Sequence, residues 1–249
     1  MKLNKIVEFL DNYLDIDAVD DMSLNGLQFG DMDAEIDSVV LAVDASLELF
    51  EKAGRGNKLL VVHHGLFWGS SFAITGIHYE RFKKLFDNEL SLYAAHLPLD
   101  LHAVIGHNAR IAAELGLTDI LPFGDYKGTK IGFKGMLAEP LKMKEFKDVL
   151  GGLFGDYQLL QFGKEEIRNI GVVSGGAASL IPDAIKEGLD LYITGEASHS
   201  MYHFVKEARL NVVFGGHYNT EKFGILKLGD LLEKEFGLKS EFIDIPTGF

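Results

Sequence analysis

Residues 37–65 read DSVVLAVDASLELFEKAGRGNKLLVVHHG. An aliphatic, β-branched run breaks at Asp44-Ala45-Ser46 and passes into helix-forming Leu, Glu, Phe and Lys. A second aliphatic run follows and stops on His63, His64 and Gly65. Strand, turn, helix, strand is the repeating unit of a parallel sheet. Residues 170–198, IGVVSGGAASLIPDAIKEGLDLYITGEAS, fit the same pattern without a gap. Val39/Val172, Val40/Val173, Ala45/Ala178 and Ser46/Ser179 are identical, and His63 falls on Glu196. Further on, YAAHLPLD (93–100) falls on FGGHYNTE (214–221), which pairs His96 with His217 and Asp100 with Glu221. The coincidence of His-x3-Asp with His-x3-Glu points to an internal duplication. The alternative is that any two βα units look alike.

Working outward, strands are predicted at 38–43, 58–63, 90–94, 130–138, 157–162, 169–173, 189–194 and 210–214. Helices are predicted at 2–14, 46–54, 78–88, 98–115, 143–150, 178–187, 198–208 and 220–236. The alternation predicts an α/β fold with a largely parallel sheet. It is expected to form two similar α/β subdomains, 1–126 and 127–249, with a metal site between them and the C-terminal helix packing back on the first. The stretch 119–130, DILPFGDYKGTK, supplies the expected seam.

The chain has 249 residues, no cysteine and a net charge of −13. Disulfides are excluded, and any metal must take nitrogen and oxygen ligands. The negative charge argues against nucleic-acid binding. No apolar run approaches the roughly 18 residues of a membrane span. The N-terminus MKLNKIVEFLDNYL reads as an amphipathic helix, so the cytoplasm is the expected location.

In α/β sheets ligands bind beyond the carboxyl ends of the strands. His63, His64, Asp100, Glu196, His217 and Glu221 all stand just past predicted strands. Two adjacent imidazoles at a strand end have no packing value, whereas neutral imidazole is the commonest metal ligand. His217 and Glu221, four apart in a helix, share one face. Pro98 suits a first helical turn, where Asp100 meets the positive end of the helix. His78, His102, His107, His199 and His203 sit among polar neighbours and read as structural, with His107 on a helix surface. Two or three imidazoles with two carboxylates exceed a closed four-ligand zinc site. They suit two ions bridged by water or a carboxylate, with a bridging hydroxide for hydrolysis. Zn, Fe, Mn, Ni and Co all fit. The turn VVSGGAAS (172–179) offers backbone amides to a phosphate or carboxylate, or else serves tight packing. The loop 65–78, GLFWGSSFAITGIH, is apolar enough to cover a site, to meet another subunit, or to fold on its own core.

The segments SLNGLQFG (23–30), VVHHGLFW (61–68), AAHLPLD (94–100), GHNARIAAELGL (106–117), ITGEASH (193–199) and GGHYNTE (215–221) together resemble the NIF-three-like family. These are dinuclear metal-centre proteins catalogued as GTP cyclohydrolase I type 2 homologues. The resemblance spans essentially the whole chain. It implies two divalent ions per subunit on His63, His64, Asp100, His217 and Glu221, and a homohexamer with sites facing an internal cavity. The family's His-His-Pro appears here with Gly65, which alters turn stiffness and leaves the ligands alone. A family Asn-Asp appears as His107-Asn108. The reading that follows is a metal-dependent hydrolase acting on a small anionic or nucleotide-like substrate, GTP by the family label. His96 is the expected proton carrier and Glu196 a second catalytic candidate. The alternative is a non-catalytic metal-binding scaffold or regulatory interaction protein.

Overall fold

The computed structural model describes residues 1–249 as two units, each an α/β layer with its own sheet. The first unit holds Met1–Leu99 and Gly224–Ile245. Along the chain it contains α1 (Leu3–Leu14), β1 (Gly26–Phe29), β2 (Ser38–Asp44), α2 (Leu47–Ala53), β3 (Lys58–His64), α3 (Ile77–Asp87) and β4 (Leu90–Ala94). The start of α4 (Leu97–Leu101), most of α10 (Phe223–Phe236) and β11 (Lys239–Phe242) complete it. Its sheet runs β1-β4-β3-β2-β11, with β1 the one antiparallel member. β2 and β3 are buried along five consecutive residues each, which explains their continuous aliphatic runs. Ser46 starts α2 because its side chain accepts from Leu49 N at 3.1 Å. Leu49, Phe50, Phe82 and Leu85 then pack on Val40, Leu60, Val62 and Leu92. Phe67 and Phe72 from the apolar loop pack on this core, while Ile74 and Ile77 remain exposed.

The second unit holds Asp100–Phe223 and Pro246–Phe249. It contains α5 (His107–Glu114), β5 (Thr118–Tyr126), β6 (Thr129–Lys142), α6 (Met143–Phe154), β7 (Gln158–Gln161), β8 (Glu166–Val172), α7 (Ile181–Lys186), β9 (Leu191–Thr194), α8 (Tyr202–Ala208), β10 (Asn211–Phe214) and α9 (His217–Thr220). Its sheet runs β5-β6-β8-β9-β10-β7, in which only β8, β9 and β10 are mutually parallel. Ile111, Phe146, Leu150, Ile170 and Val213 lie in its core.

Read from one edge, β1-β4-β3-β2 and β7-β10-β9-β8 have the same order, each with an antiparallel edge strand. The pairing registers test the proposed alignment. Lys58 pairs with Leu90, and Leu191 pairs with Asn211, as the offsets between the two copies require. Lys58 also pairs with Ser38, but Leu191 pairs with Ile170, one residue short of the aligned Gly171. The second match, 93–100 on 214–221, is therefore in register with the strand before it, whereas the gapless match of 37–65 on 170–198 slips by one residue on its first strand.

Three expectations change. The sheets are mixed, because β1, β5, β6 and β7 pair antiparallel with their neighbours, and β1, β5 and β11 lie outside the stretches expected as strands. The stretch 119–130 forms β5 and the turn of the β5–β6 hairpin within one sheet, and the units divide at Leu99/Asp100, Phe223/Gly224 and Ile245/Pro246. Pro122 is tolerated there because β5 is an edge strand. The single helix expected over 98–115 is two, α4 and α5. His102 Nδ1 accepts from the amides of Val104 and Ile105, both at 3.2 Å, and so interrupts the helical ladder.

Asp190 ties the second unit together. Its buried carboxylate accepts from Asn169 N at 2.9 Å, Arg168 N at 3.2 Å and Lys164 Nζ at 2.7 Å. Burial pushes this carboxyl up, but the two amides and Lys164 outweigh it and hold the group below the usual range. A depressed native pKa means the contribution is present above the unfolded-state value, about 3.9, and is lost as pH falls through the native value. Asp190→Ala is expected to cost about 2–3 kcal/mol near neutral pH. The gap between variant and parent in denaturant unfolding should shrink on acidification, and a pH-independent gap would refute this account.

Candidate metal centre

In the first unit the parallel strands deliver three imidazoles to one sheet edge. His63 and His64 end β3, and His96 stands two residues past β4. Their rings lie 4.6 Å (His63–His64), 5.0 Å (His63–His96) and 5.6 Å (His64–His96) apart, centroid to centroid. One ring nitrogen of each lies within 4.8 Å of the others. In every ring Nδ1 meets an oxygen. His63 Nδ1 is 2.9 Å from Ala95 O, and His64 Nδ1 is 2.8 Å from Asp44 Oδ1. His96 Nδ1 is 2.9 and 3.0 Å from the two Asp21 oxygens. A carbonyl can only accept, so His63 Nδ1 carries the hydrogen and Nε2 the lone pair. The carboxylates impose the same tautomer on His64 and His96. This is how metal-binding imidazoles are held elsewhere: the far nitrogen donates to an oxygen and the near one keeps its lone pair for the ion.

Asp21 and Asp44 were not legible as site residues, because nothing in their spacing links them to a histidine. Burial pushes Asp21 up, but hydrogen bonds from His96, Ser23 and Asn25 hold it well below the usual carboxylate range. Trp68 donates Nε1–H to Gly65 O at 2.9 Å, and its ring stands edge-on to His96 at 4.9 Å and 5.8 Å from His64. Gly65, where the resemblance leads one to expect proline, has a packing reason. A Cβ there would lie 2.3 Å from Gln28 Nε2, and Gln28 Oε1 accepts from Leu66 N at 2.7 Å.

In the second unit the corresponding strand ends carry His217, Glu221 and Glu196. His217 opens α9 and is 3.0 Å from Glu221 Oε2 through Nε2 and 2.6 Å from Glu196 Oε1 through Nδ1. Burial lowers the His217 pKa, but Glu221 on one side and Glu196 on the other push it up to about 9. A ring nitrogen and a buried carboxylate thus lie 3.0 Å apart, two of the ligand types that hold divalent cations once the imidazole is neutral. Asp100 Oδ1 accepts from Ser174 Oγ at 2.7 Å, and an Asp100 oxygen lies within 4.8 Å of a His107 ring nitrogen.

His107 is fully buried, which corrects its reading as helix surface. It lies one turn from Ile111, on the face that α5 turns into the core. Asn108, also buried, donates to Asp100 O at 3.2 Å and Ile131 O at 2.8 Å, and accepts from Ser174 N at 2.6 Å. The anion-cradle reading of 172–179 fails for three of its amides. Ser174 N, Gly175 N and Ala177 N donate to Asn108 Oδ1, Thr220 Oγ1 and Thr194 Oγ1. Close packing is the reason for Gly175: a Cβ there would lie 2.2 Å from Glu221 Oε1.

The donor residues thus fit metal ions by tautomer and charge, and no helix is long and apolar enough to cross a membrane. The chain is 45% identical to the "GTP cyclohydrolase 1 type 2 homolog" of Deinococcus radiodurans, covering 98% of this chain and 94% of that one. It is 43% identical to the protein of the same name from Archaeoglobus fulgidus, covering 99% of each. The crystal structure of TTHA1606 from Thermus thermophilus is similar over 100% of both chains, with a TM-score of 0.88 and 40% identity. The family model described as Duf34/NIF3 (NGG1p interacting factor 3) matches residues 1–247. The chain belongs to this Duf34/NIF3 family.

Proposed function

We propose that this protein is a dinuclear metal-dependent hydrolase whose ligands are His63, His64, Asp100, His217 and Glu221. The observation that carries the reading is the common tautomer of His63 and His64, whose Nδ1 atoms are both spent on oxygens. Bound divalent ions would lower the pKa of coordinated water toward neutrality and polarise the attacked group. Asp44 keeps His64 oriented. Glu196, named above as a catalytic candidate, holds His217 through Nδ1 and leaves Nε2 facing Glu221. His96 exchanges a proton with the reacting group at Nε2, since its Nδ1 is held by Asp21.

The substrate class is a small anionic or nucleotide-like molecule. The printed name of the relatives makes GTP the first compound to try. A homohexamer is the proposed assembly, and the exposed Ile74, Ile77, Tyr79 and Phe86 on the loop before α3 and on α3 support burial against another copy. The test combines elemental analysis of the purified protein, its mass in solution and turnover of a nucleotide panel. Two ions per chain with turnover lost on chelation and restored by metal is the expected result. Two ions per chain with no turnover of any hydrolysable phosphate, amide or ring substrate would favour the scaffold reading. Absence of tight metal binding would remove both.

A further inference from the structure

The motif SLNGLQFG, with Asp21 before it, belongs to none of the proposed ligands, yet it encloses His96. The Asp21 side chain is only 4% exposed. Its Oδ1 accepts from Ser23 N at 3.0 Å and from His96 Nδ1 at 2.9 Å. Its Oδ2 accepts from Asn25 Nδ2 and Leu97 N, both at 3.0 Å. Asn25 completes the grip, because its Oδ1 accepts from His96 N at 2.8 Å. Segment 21–25 therefore holds His96 by ring and backbone together. All the groups aimed at Asp21 are donors, so the position needs an acceptor with two oxygens. No arrangement of an amide satisfies all of them.

We propose that Asp21 is a positioning residue that locks His96 into the tautomer with hydrogen on Nδ1 and the lone pair on Nε2, and that Asn25 anchors the backbone beneath it. The catalytic consequence rests on the proton-carrier reading of His96, but the tautomer does not. Asparagine at position 21 places an NH2 against one of its present donors. On the Oδ2 side that NH2 would oppose both Asn25 Nδ2 and Leu97 N, whereas on the Oδ1 side it opposes the Ser23 amide alone and faces His96 Nδ1, so the imidazole inverts and Nε2 carries the hydrogen. In serine-protease triads the corresponding exchange leaves geometry intact and lowers kcat about 10⁴-fold through the wrong tautomer.

The test is long-range ¹⁵N–¹H correlation on the full chain labelled with ¹⁵N-histidine. It is run metal-free and Zn²⁺-loaded across a pH series, and the tautomer is read where the His96 signals stop moving with pH. His96→Gln identifies the His96 signals. In the parent protein His96 is expected to show hydrogen on Nδ1 and a bare Nε2. In Asp21→Asn the bare nitrogen moves to Nδ1, in whole or as a mixture. Asn25→Ala should keep the parent tautomer with broadened His96 signals. A parent His96 with hydrogen on Nε2 overturns the proposal, and that measurement needs no variant to fold. An Asp21→Asn protein that is folded and unchanged in tautomer overturns it equally. Once a substrate is in hand, Asp21→Asn should lower kcat by roughly 10²–10⁴ with metal content unchanged. Loss of metal in the same variant would mean that Asp21 only supports the ligands. Failure of the metal reading would appear in elemental analysis and leave the tautomer result untouched.

Discussion

Glu221→Gln protein, exposed to the same metal as the parent, will bind with affinity reduced by more than the roughly 10–100-fold that loss of a supporting group costs. Glutamine keeps the size of the side chain and one oxygen, but the charge facing His217 Nε2 disappears. Glu221 is buried, so no solvent reorganisation replaces the missing charge cheaply. His217→Ala removes the nitrogen partner and should cut the ion count further. Glu196→Gln touches only Nδ1 and should stay within the supporting range. His203→Ala, an exposed histidine on α8, is the control and should change nothing. Competition titrations against a chromogenic chelator give the affinities. Parent-like affinity and stoichiometry in Glu221→Gln would sink the ligand assignment of the second unit.

Gly175→Ala is expected to destabilise the protein by about 2–4 kcal/mol and to weaken metal binding together with it. Gly175 has φ +65°, where a Cβ is strained, and that Cβ would lie 2.2 Å from Glu221 Oε1 and 3.3 Å from His217 Nε2. The backbone there cannot simply back away. Gly175 N donates to Thr220 Oγ1 at 3.0 Å, while Gly175 O accepts from Gly195 N at 2.9 Å and Glu196 N at 3.1 Å. Adding Glu221→Asp withdraws the carboxylate and should recover part of the loss, leaving the cost of the strained φ. A double-mutant cycle from denaturant unfolding reads this coupling. Strictly additive effects would show that the overlap is relieved some other way.

Much of the arrangement was readable in advance. Runs such as SVVLAV and LLVV announce buried parallel strands because both faces of those strands are covered. The offset that pairs Leu90 with Asn211 was visible because two copies of one motif keep their spacing from strand to helix. β5 and β11 were not visible, since edge strands half exposed to solvent accept Pro, Gly and charged residues. His107 escaped because its polar neighbours masked a helix face that turns inward.

The sequence by itself determined the kinds of donor and their place at strand ends. Periodicity of apolar residues sets where a strand stops, and the residues that follow it are local. What only the tertiary structure decided is the protonation chemistry of those donors. Asp21 lies 75 residues from His96, and Asp44 lies 20 from His64, yet they fix which nitrogen holds the hydrogen. Likewise the amides of 174, 175 and 177 look available in the sequence and are spent on side chains from positions 108, 220 and 194. Hydrogen bonds act through space at about 3 Å, so no local spacing encodes them until the chain has folded.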